Sequence, residues 1–305
     1  MERRKFIRNS IGAALTSSTL VAGISMPASS DTISHSDQAV NSMEKNSTRL
    51  SFLDRAKPVI SGIFAGQTPQ ELIAAARNSE YEGAQGITVD LFDLKPEFRN
   101  QESLRRVINS VRLPFMFYFY RKDKWKDSSD EDRQEVLLAA ADAGASMIDV
   151  LGDLYDPSPM EITYNQSAID KQKRLIDKIH EKGADVVMSS HMSNSLNTDQ
   201  VLEHLRAFED RGPDVVKIVT TVNTEEELAE ALKTTITLNR ELKKPFIHLC
   251  GGKYSRFHRF AGPNLGLAIL FAVPHYSDKY GFGQPTIRAM KAVLENMHWH
   301  INNVD

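Results

Sequence analysis

Short apolar runs alternate with longer amphipathic segments from Pro58 to the end of the chain. The apolar runs have the length of strands, and the segments between them, roughly ten to nineteen residues long, have the spacing of surface helices. Eight strand–helix units in one series favour a closed parallel barrel, so we predict an α/β fold, a single (β/α)8 TIM barrel over residues 58–300. A doubly wound open sheet is the alternative, but the first run leads into Gly66-Gln67-Thr68 and not into a GxGxxG turn. The predicted strands are 59–65, 86–92, 114–120, 146–151, 185–192, 214–222, 245–250 and 268–274.

Helix ends are marked by capping residues. The runs 68–71 (Thr-Pro-Gln-Glu) and 224–227 (Thr-Glu-Glu-Glu) have the spacing of capping boxes. Glycine at the carboxyl end of a helix can take a left-handed conformation and stop it. We therefore expect helices to end at Gly144, Gly183 and Gly212.

The first 57 residues lack this alternation. Residues 1–30 have a basic start, a short apolar stretch and small residues at the end, which is typical of a signal peptide. Arg3 and Arg4, followed by Phe6, resemble the twin-arginine export signal, although Glu2 stands where Ser or Thr is usual. An ordinary secretory signal and a cytoplasmic N-terminus are the alternatives. Residues 31–57 are polar and without a period, so we interpret them as a linker.

These features predict a periplasmic protein without a membrane anchor. The apolar stretch is shorter than the ~20 residues that a membrane span needs. The net charge of −3 gives no indication of nucleic acid as a partner, so we expect a small-molecule substrate. The one cysteine, Cys250, cannot form an internal disulfide, and no metal-type spacing of cysteine and histidine surrounds it.

Lys217 is the most informative polar residue. It lies in an apolar strand, on the same face as Val215 and Val219, which in a barrel is the inner face. Burial disfavours a charged lysine, and a neutral amine is a nucleophile for carbonyl compounds. The alternative is a lysine that faces outward and reaches solvent between helices.

His191 ends the strand before that of Lys217, so a barrel places the two side by side. An imidazole can take and return a proton near neutral pH. A structural histidine at a strand end is the alternative. The pairing with Lys217 favours a catalytic role.

Three further side chains could bind an anionic substrate. Arg121 closes the third strand, Arg259 follows the seventh with Arg256 nearby, and Gln284 lies just before the last helix. A guanidinium binds a carboxylate through two hydrogen bonds. The alternatives are a surface salt bridge for Arg121, a solvated basic loop for Arg259 and a helix cap for Gln284.

The ordered set of these segments resembles the type I 3-dehydroquinate dehydratase family. The resemblance rests on residues 141–150, 183–191, 214–218, 259–266 and 283–284, and it extends from about Pro58 to about His298. It implies a lyase in which Lys217 forms an imine with 3-dehydroquinate and His191 transfers the protons, giving 3-dehydroshikimate. It also implies that Arg121, Arg259, Gln284 and Asp90 bind substrate, that no metal or organic cofactor is used, and that the protein is a homodimer.

The sequence departs from the family in the substrate-binding shell. Gly86 and Thr88 stand where the family has a glutamate and an arginine, before Asp90. Trp125 stands where the family has the acidic residue that supports the histidine, and Phe282 replaces a usual proline in the closing loop. The resemblance therefore implies retained imine chemistry with an altered substrate.

Two other functions remain open at this point. A metal-dependent sugar isomerase or epimerase could use Asp90, Asp149, His191 and His248 as ligands, although it leaves Lys217 without a role. A periplasmic binding protein that has lost its activity would explain the missing charged pair, but not the retained Lys217 and His191.

Overall fold

The computed structural model describes residues 49–53, 58–121, 128–277 and 283–303. Eight strands and eight α-helices alternate in these ranges. The strands are β1 Val59–Ala65, β2 Gly86–Asp90, β3 Phe115–Tyr118, β4 Met147–Leu151, β5 Asp185–His191, β6 Val215–Thr221, β7 Phe246–Gly251 and β8 Ile269–Ala272. The helices are α1 Pro69–Glu82, α2 Gln101–Ile108, α3 Asp130–Ala143, α4 Gln166–Glu181, α5 Thr198–Glu209, α6 Glu225–Glu241, α7 Ser255–Ala261 and α8 Ile287–Asn296.

The strands form one parallel sheet that curls into a barrel. Consecutive strands pair from β1 to β7, and β8 pairs with β1. The two remaining edges meet where the N–H of Ala268 donates to the carbonyl of Phe246 at 3.0 Å. The predicted (β/α)8 barrel is confirmed, and all eight predicted strands are present, with ends that differ by a few residues. In the part of the chain that the structure describes, no helix is long and apolar enough to cross a membrane.

Strand register decides which side chains face the barrel interior. Ser189 of β5 is level with Lys217 of β6, and His191 is level with Val219. Because alternate residues of a strand share a face, Lys217 and His191 both point inward. The outward neighbours pack against the helices.

Thr68 and Thr224 cap their helices as predicted, but the reciprocal hydrogen bond of a capping box is not formed in either helix. Thr68 accepts a hydrogen bond from the N–H of Glu71, as a cap should. The Glu71 carboxylate, however, accepts from the N–H of Gln67, one residue before the cap. The second predicted box has the same arrangement: Glu227 accepts from the N–H of Asn223. The glycines predicted to end helices, Gly144, Gly183 and Gly212, all have positive φ.

The segment before β1 closes the amino-terminal end of the barrel. Phe52 is buried, and its ring occupies the space next to Gly86, where a Cβ would lie 2.3 Å from the ring. Arg49 donates to the carbonyls of Ala141 and Lys182 at the ends of two helices. Residues 49–53, which the sequence assigned to the linker, therefore pack against the barrel. The predicted signal peptide and residues 31–48 of the linker lie outside the described residues.

Candidate active site

A cavity of about 210 Å³ opens at the carboxyl ends of the strands, where barrel enzymes carry their active sites. Its apolar wall is formed by Ile63, Tyr118, Val219, Leu249 and Phe271. Its polar side chains are Tyr120, His191, Lys217, Arg259 and Gln284. Four of the six site residues predicted from the sequence therefore line one cavity.

Lys217 lies at the buried end of this cavity, with 4% of its surface exposed. Its Nζ atom is 3.0 Å from Oδ2 of Asp149 and 2.6 Å from the hydroxyl of Tyr120. The ring of Phe271 lies 5.4 Å from the same nitrogen. The lysine thus faces the interior, which excludes the alternative of an outward, solvated side chain.

Asp149 and Tyr120 form a closed network around the amine. The Tyr120 hydroxyl donates to Oδ2 of Asp149 at 2.8 Å, and Ser189 donates to the other oxygen of the carboxylate. Burial, together with the charge of Asp149, raises the pKa of Tyr120 well above its usual value. The phenol therefore stays protonated and can act as a hydrogen-bond donor or acceptor near Lys217. From the sequence, Asp149 was predicted only as a metal ligand of the alternative isomerase. Tyr120 was assigned no role, because it lies at the end of an aromatic run.

His191 is held by Glu161, which sequence reasoning did not identify. Oε2 of Glu161 accepts from the backbone N–H of His191 at 2.7 Å and lies 2.9 Å from its Nδ1. This contact places a proton on Nδ1 and leaves the lone pair of a neutral imidazole on Nε2. Burial and the charge of Lys217 lower the pKa of His191, and Glu161 opposes that shift. A neutral imidazole is the form that can remove a proton.

Arg259 and Gln284 form the polar side of the cavity mouth. Nη1 of Arg259 donates to Oε1 of Gln284 at 2.8 Å, and its Nε donates to the carbonyl of Cys250. Burial lowers the pKa of Arg259 to about 10, so the guanidinium remains charged at neutral pH. Arg259 lies on α7 and not in the loop that the sequence indicated.

Arg121 is not among the residues that line the cavity. Its Nη1 is 2.8 Å from both carboxylate oxygens of Asp153, and its Nε and Nη2 bind Asp130. The hydrogen bonds to these carboxylates outweigh burial and raise the pKa of Arg121. Arg121 thus forms a salt bridge, which was the alternative predicted from the sequence. This salt bridge is partly buried and connects the loop after β3 to the loop after β4.

Asp90 is also not among the residues that line the cavity. It is buried at the end of β2, where Oδ1 accepts from the N–H of Phe92. The four ligands considered for a metal-dependent isomerase do not converge: Asp149 binds Lys217, His191 binds Glu161, and His248 lies on the outer face of β7. The structure contradicts that ligand set.

On the inner face of β2, Gly86 and Thr88 stand where the family has a glutamate and an arginine. Thr88 and Ser61 are fully buried, and their hydroxyls pair with each other at 2.7 Å. The space beside Gly86 is filled by Phe52. This wall therefore has its hydrogen bonds satisfied internally. Trp125 and Phe282, the other departures from the family, lie outside the described residues.

Comparisons with known proteins indicate the family of this chain. The family model for type I 3-dehydroquinase matches residues 64–300. A 3-dehydroquinate dehydratase of Klebsiella pneumoniae is 24% identical over 239 residues, which cover 75% of this chain and 89% of that protein. Another from Alkaliphilus oremlandii is 30% identical over 133 residues, which cover 43% of this chain and about half (51%) of that protein.

Solved structures of the same family share the fold. The 3-dehydroquinate dehydratase of Geobacillus kaustophilus superimposes with a TM-score of 0.67 at 18% identity, covering 80% of this chain and 92% of that one. The type I enzyme of Clostridium difficile, solved with covalently modified comenic acid, gives 0.68 at 17% identity, with 81% and 94% covered. The matched family model covers most of the barrel. The chain belongs to the type I 3-dehydroquinase family.

Proposed function

We propose that this protein is a hydro-lyase that converts 3-dehydroquinate to 3-dehydroshikimate through an imine on Lys217. The observation that carries the proposal is the position of the Lys217 amine, at the buried end of a cavity that His191 also lines. The family and the names of its members support the same reaction. In the proposed mechanism the residues of the cavity, together with Asp149 and Glu161, which hydrogen-bond to them, supply each step without a metal or organic cofactor.

The imine forms when Nζ of Lys217 attacks the ketone carbon and the ketone oxygen leaves as water. The amine must first lose a proton, and the carboxylate of Asp149 lies 3.0 Å away to accept it. The Tyr120 hydroxyl, 2.6 Å from the same nitrogen, is placed to hydrogen-bond the oxygen of the carbinolamine. Lys217 is thereby the nucleophile, and Asp149 and Tyr120 handle its protons.

Elimination then requires a base and an acid near the imine. Nε2 of His191 removes a proton from the carbon next to the imine carbon, and the electrons move into an enamine. The enamine expels the β-hydroxyl, which takes the proton back from His191 and leaves as water. Glu161 fixes the tautomer and orientation of the ring during both transfers. Hydrolysis of the imine releases the enone product and restores the lysine.

Arg259 is the group proposed for the substrate carboxylate, because it lines the cavity mouth and remains charged. Gln284 positions the guanidinium and can also bind a hydroxyl of the substrate. Arg121 is not needed for this role.

The proposal is tested by following enone absorbance with purified protein and 3-dehydroquinate. We expect turnover, and a rate that falls by roughly 10²–10⁴-fold in His191→Ala, the usual contribution of a general acid–base. A protein that binds 3-dehydroquinate but never releases the enone would instead be the binding protein that has lost its activity.

We also propose that the protein is exported to the periplasm by the twin-arginine route and forms a homodimer. Arg3 and Arg4 and the apolar stretch behind them support export, and the family resemblance supports the dimer. Replacing both arginines by lysine should leave precursor in the cytoplasm, and normal export of that variant would contradict the route. Light scattering on the purified protein tests the dimer.

A further inference from the structure

A second group of chemically active side chains lies behind the barrel wall, on the outer face of β7. His248 and Cys250 point from this face toward the helices, since Leu249 between them lines the cavity. His258 reaches them from α7. All three are buried, and one ligand atom from each lies within 4.8 Å of the other two. The described residues contain one such group.

The hydrogen bonds of Thr235 decide which nitrogens of the two imidazoles carry protons. The Thr235 hydroxyl donates its single proton to the carbonyl of Ala231, one turn earlier in α6. The same oxygen lies 2.9 Å from Nδ1 of His248 and 2.8 Å from Nε2 of His258. Because a carbonyl oxygen can only accept, all three contacts are hydrogen bonds at the same time when Thr235 accepts from both rings.

In that arrangement each ring carries its lone pair on the other nitrogen. Nε2 of His248 is 3.3 Å from the hydroxyl of Thr220, which also lies 3.6 Å from the sulfur of Cys250. Nδ1 of His258 is buried and has no hydrogen-bond partner among the described residues. Burial lowers the pKa of His248 to about 4 and that of His258 well below its usual value. The contacts with Thr235 leave one unprotonated nitrogen on each ring, and a neutral imidazole is the form that binds metals.

We propose that His248, Cys250 and His258 bind one soft metal ion, Cu(I), in a structural site apart from the active site. A thiolate and two imidazoles are ligands that soft transition metals select. Thr235 would then accept the second N–H of both histidines, which is the contact that usually orients a metal-bound imidazole. The unpartnered nitrogen of His258 gains a partner.

Charge favours a monovalent ion over zinc. Burial raises the pKa of Cys250 to about 11, so the incoming metal must displace the thiol proton. Cu(I) with one thiolate is neutral overall, whereas Zn²⁺ with one thiolate leaves a positive charge. That charge would lie among Val222 and Ala231 and close to the guanidinium of Arg259, which hydrogen-bonds the Cys250 carbonyl. Three ligands without an acidic fourth residue therefore fit the monovalent ion.

The experiment is an anaerobic titration of the full-length protein with Cu(I) against a chromogenic Cu(I) chelator, followed by X-ray absorption at the copper edge. We expect one Cu(I) per chain, with one sulfur and two imidazole nitrogens around it, and a thiolate-to-copper band in the ultraviolet. Because Cys250 is the only cysteine of the chain, that band reports on this residue alone.

Variants separate the site from adventitious binding. Cys250→Ser should abolish the band, and His258→Gln should weaken binding by about tenfold or more. His298→Gln, in the exposed C-terminal segment, is the matched control and should bind as the unmodified protein does. Absence of Cu(I) binding, or a copper environment without a thiolate, in the unmodified protein would overturn the proposal even if the variants fail to fold. Stoichiometric zinc binding that excludes copper would overturn the choice of ion.

Discussion

Glu161 binds His191 twice, through the backbone N–H at 2.7 Å and through the ring Nδ1 at 2.9 Å. Glu161 comes from the loop between β4 and α4 and has a positive φ of 47°, which is uncommon for a residue other than glycine. A carboxylate thus reaches His191, the proposed general base, from a different part of the chain than the family resemblance implied. We infer that Glu161 takes the role of the acidic residue that the family has where Trp125 stands in this sequence.

Glu161→Gln removes the negative charge by replacing the carboxylate with an amide of the same size. We expect kcat to fall by about 10–100-fold, as is typical when the partner that orients a functional histidine is lost. The pKa of His191 is lowered by burial and by Lys217, and Glu161 partly raises it. Loss of Glu161 should therefore lower that pKa further.

The pH profile tests this sign directly. A base with a lowered pKa loses activity only as pH falls through a value below about 6.5, the ordinary pKa of histidine. The acid limb of kcat/KM should lie below that value in the unmodified protein and at still lower pH in Glu161→Gln. An acid limb that moves upward would contradict the electrostatic role of Glu161.

The sequence predicted the barrel and the Lys217–His191 pair but not the residues that support them. Alternation and strand order are local properties, so the inner face of β6 could be inferred from Val215, Lys217 and Val219. Glu161 could not, because it lies in an irregular loop without a pattern. Arg121 was assigned to substrate because its carboxylate partners, Asp130 and Asp153, come from separate elements whose proximity appears only in the folded chain.

Tyr120→Phe removes the hydroxyl that lies 2.6 Å from the Lys217 amine. Loss of one such hydrogen bond costs about 1–1.5 kcal/mol, which corresponds to about tenfold slower imine formation. The measurement is the rate at which borohydride-trapped adduct accumulates after mixing. Tyr164→Phe, the same change at an exposed tyrosine, is the control. Equal trapping rates in both variants would exclude Tyr120 from imine formation.

We expect Arg121 to stabilise the fold and Arg259 to bind the substrate. Arg121→Gln leaves the buried carboxylate of Asp153 without its charged partner, and we expect a loss of about 3 kcal/mol in the free energy of unfolding with little change in KM. Arg259→Gln should instead raise KM by about 10–100-fold, because a charged hydrogen bond to the substrate carboxylate is lost. Denaturant unfolding and steady-state kinetics measure the two effects. A raised KM with retained stability in the Arg121 variant would place Arg121 at the substrate.

The hydroxyl of Thr88 is already paired with that of Ser61, so we predict an altered substrate preference. 3-Dehydroquinate carries two neighbouring hydroxyls on the side of its ketone away from the leaving hydroxyl, and the described cavity offers an apolar wall of Ile63, Leu249 and Phe271. Buried hydroxyls without partners cost free energy. We expect weak dehydration of 3-dehydroquinate with a high KM, and a kcat/KM about tenfold higher or more for the analogue without those two hydroxyls. A clear preference for 3-dehydroquinate would show that other residues bind them.

Lys217 is the residue that we expect to form the covalent bond to the substrate. Incubation of the protein with 3-dehydroquinate and borohydride, followed by intact mass and peptide mapping, tests it most directly. We expect one adduct per chain, located on Lys217, and neither adduct nor turnover in Lys217→Ala. An adduct on another lysine, or turnover that survives in Lys217→Ala, would contradict it.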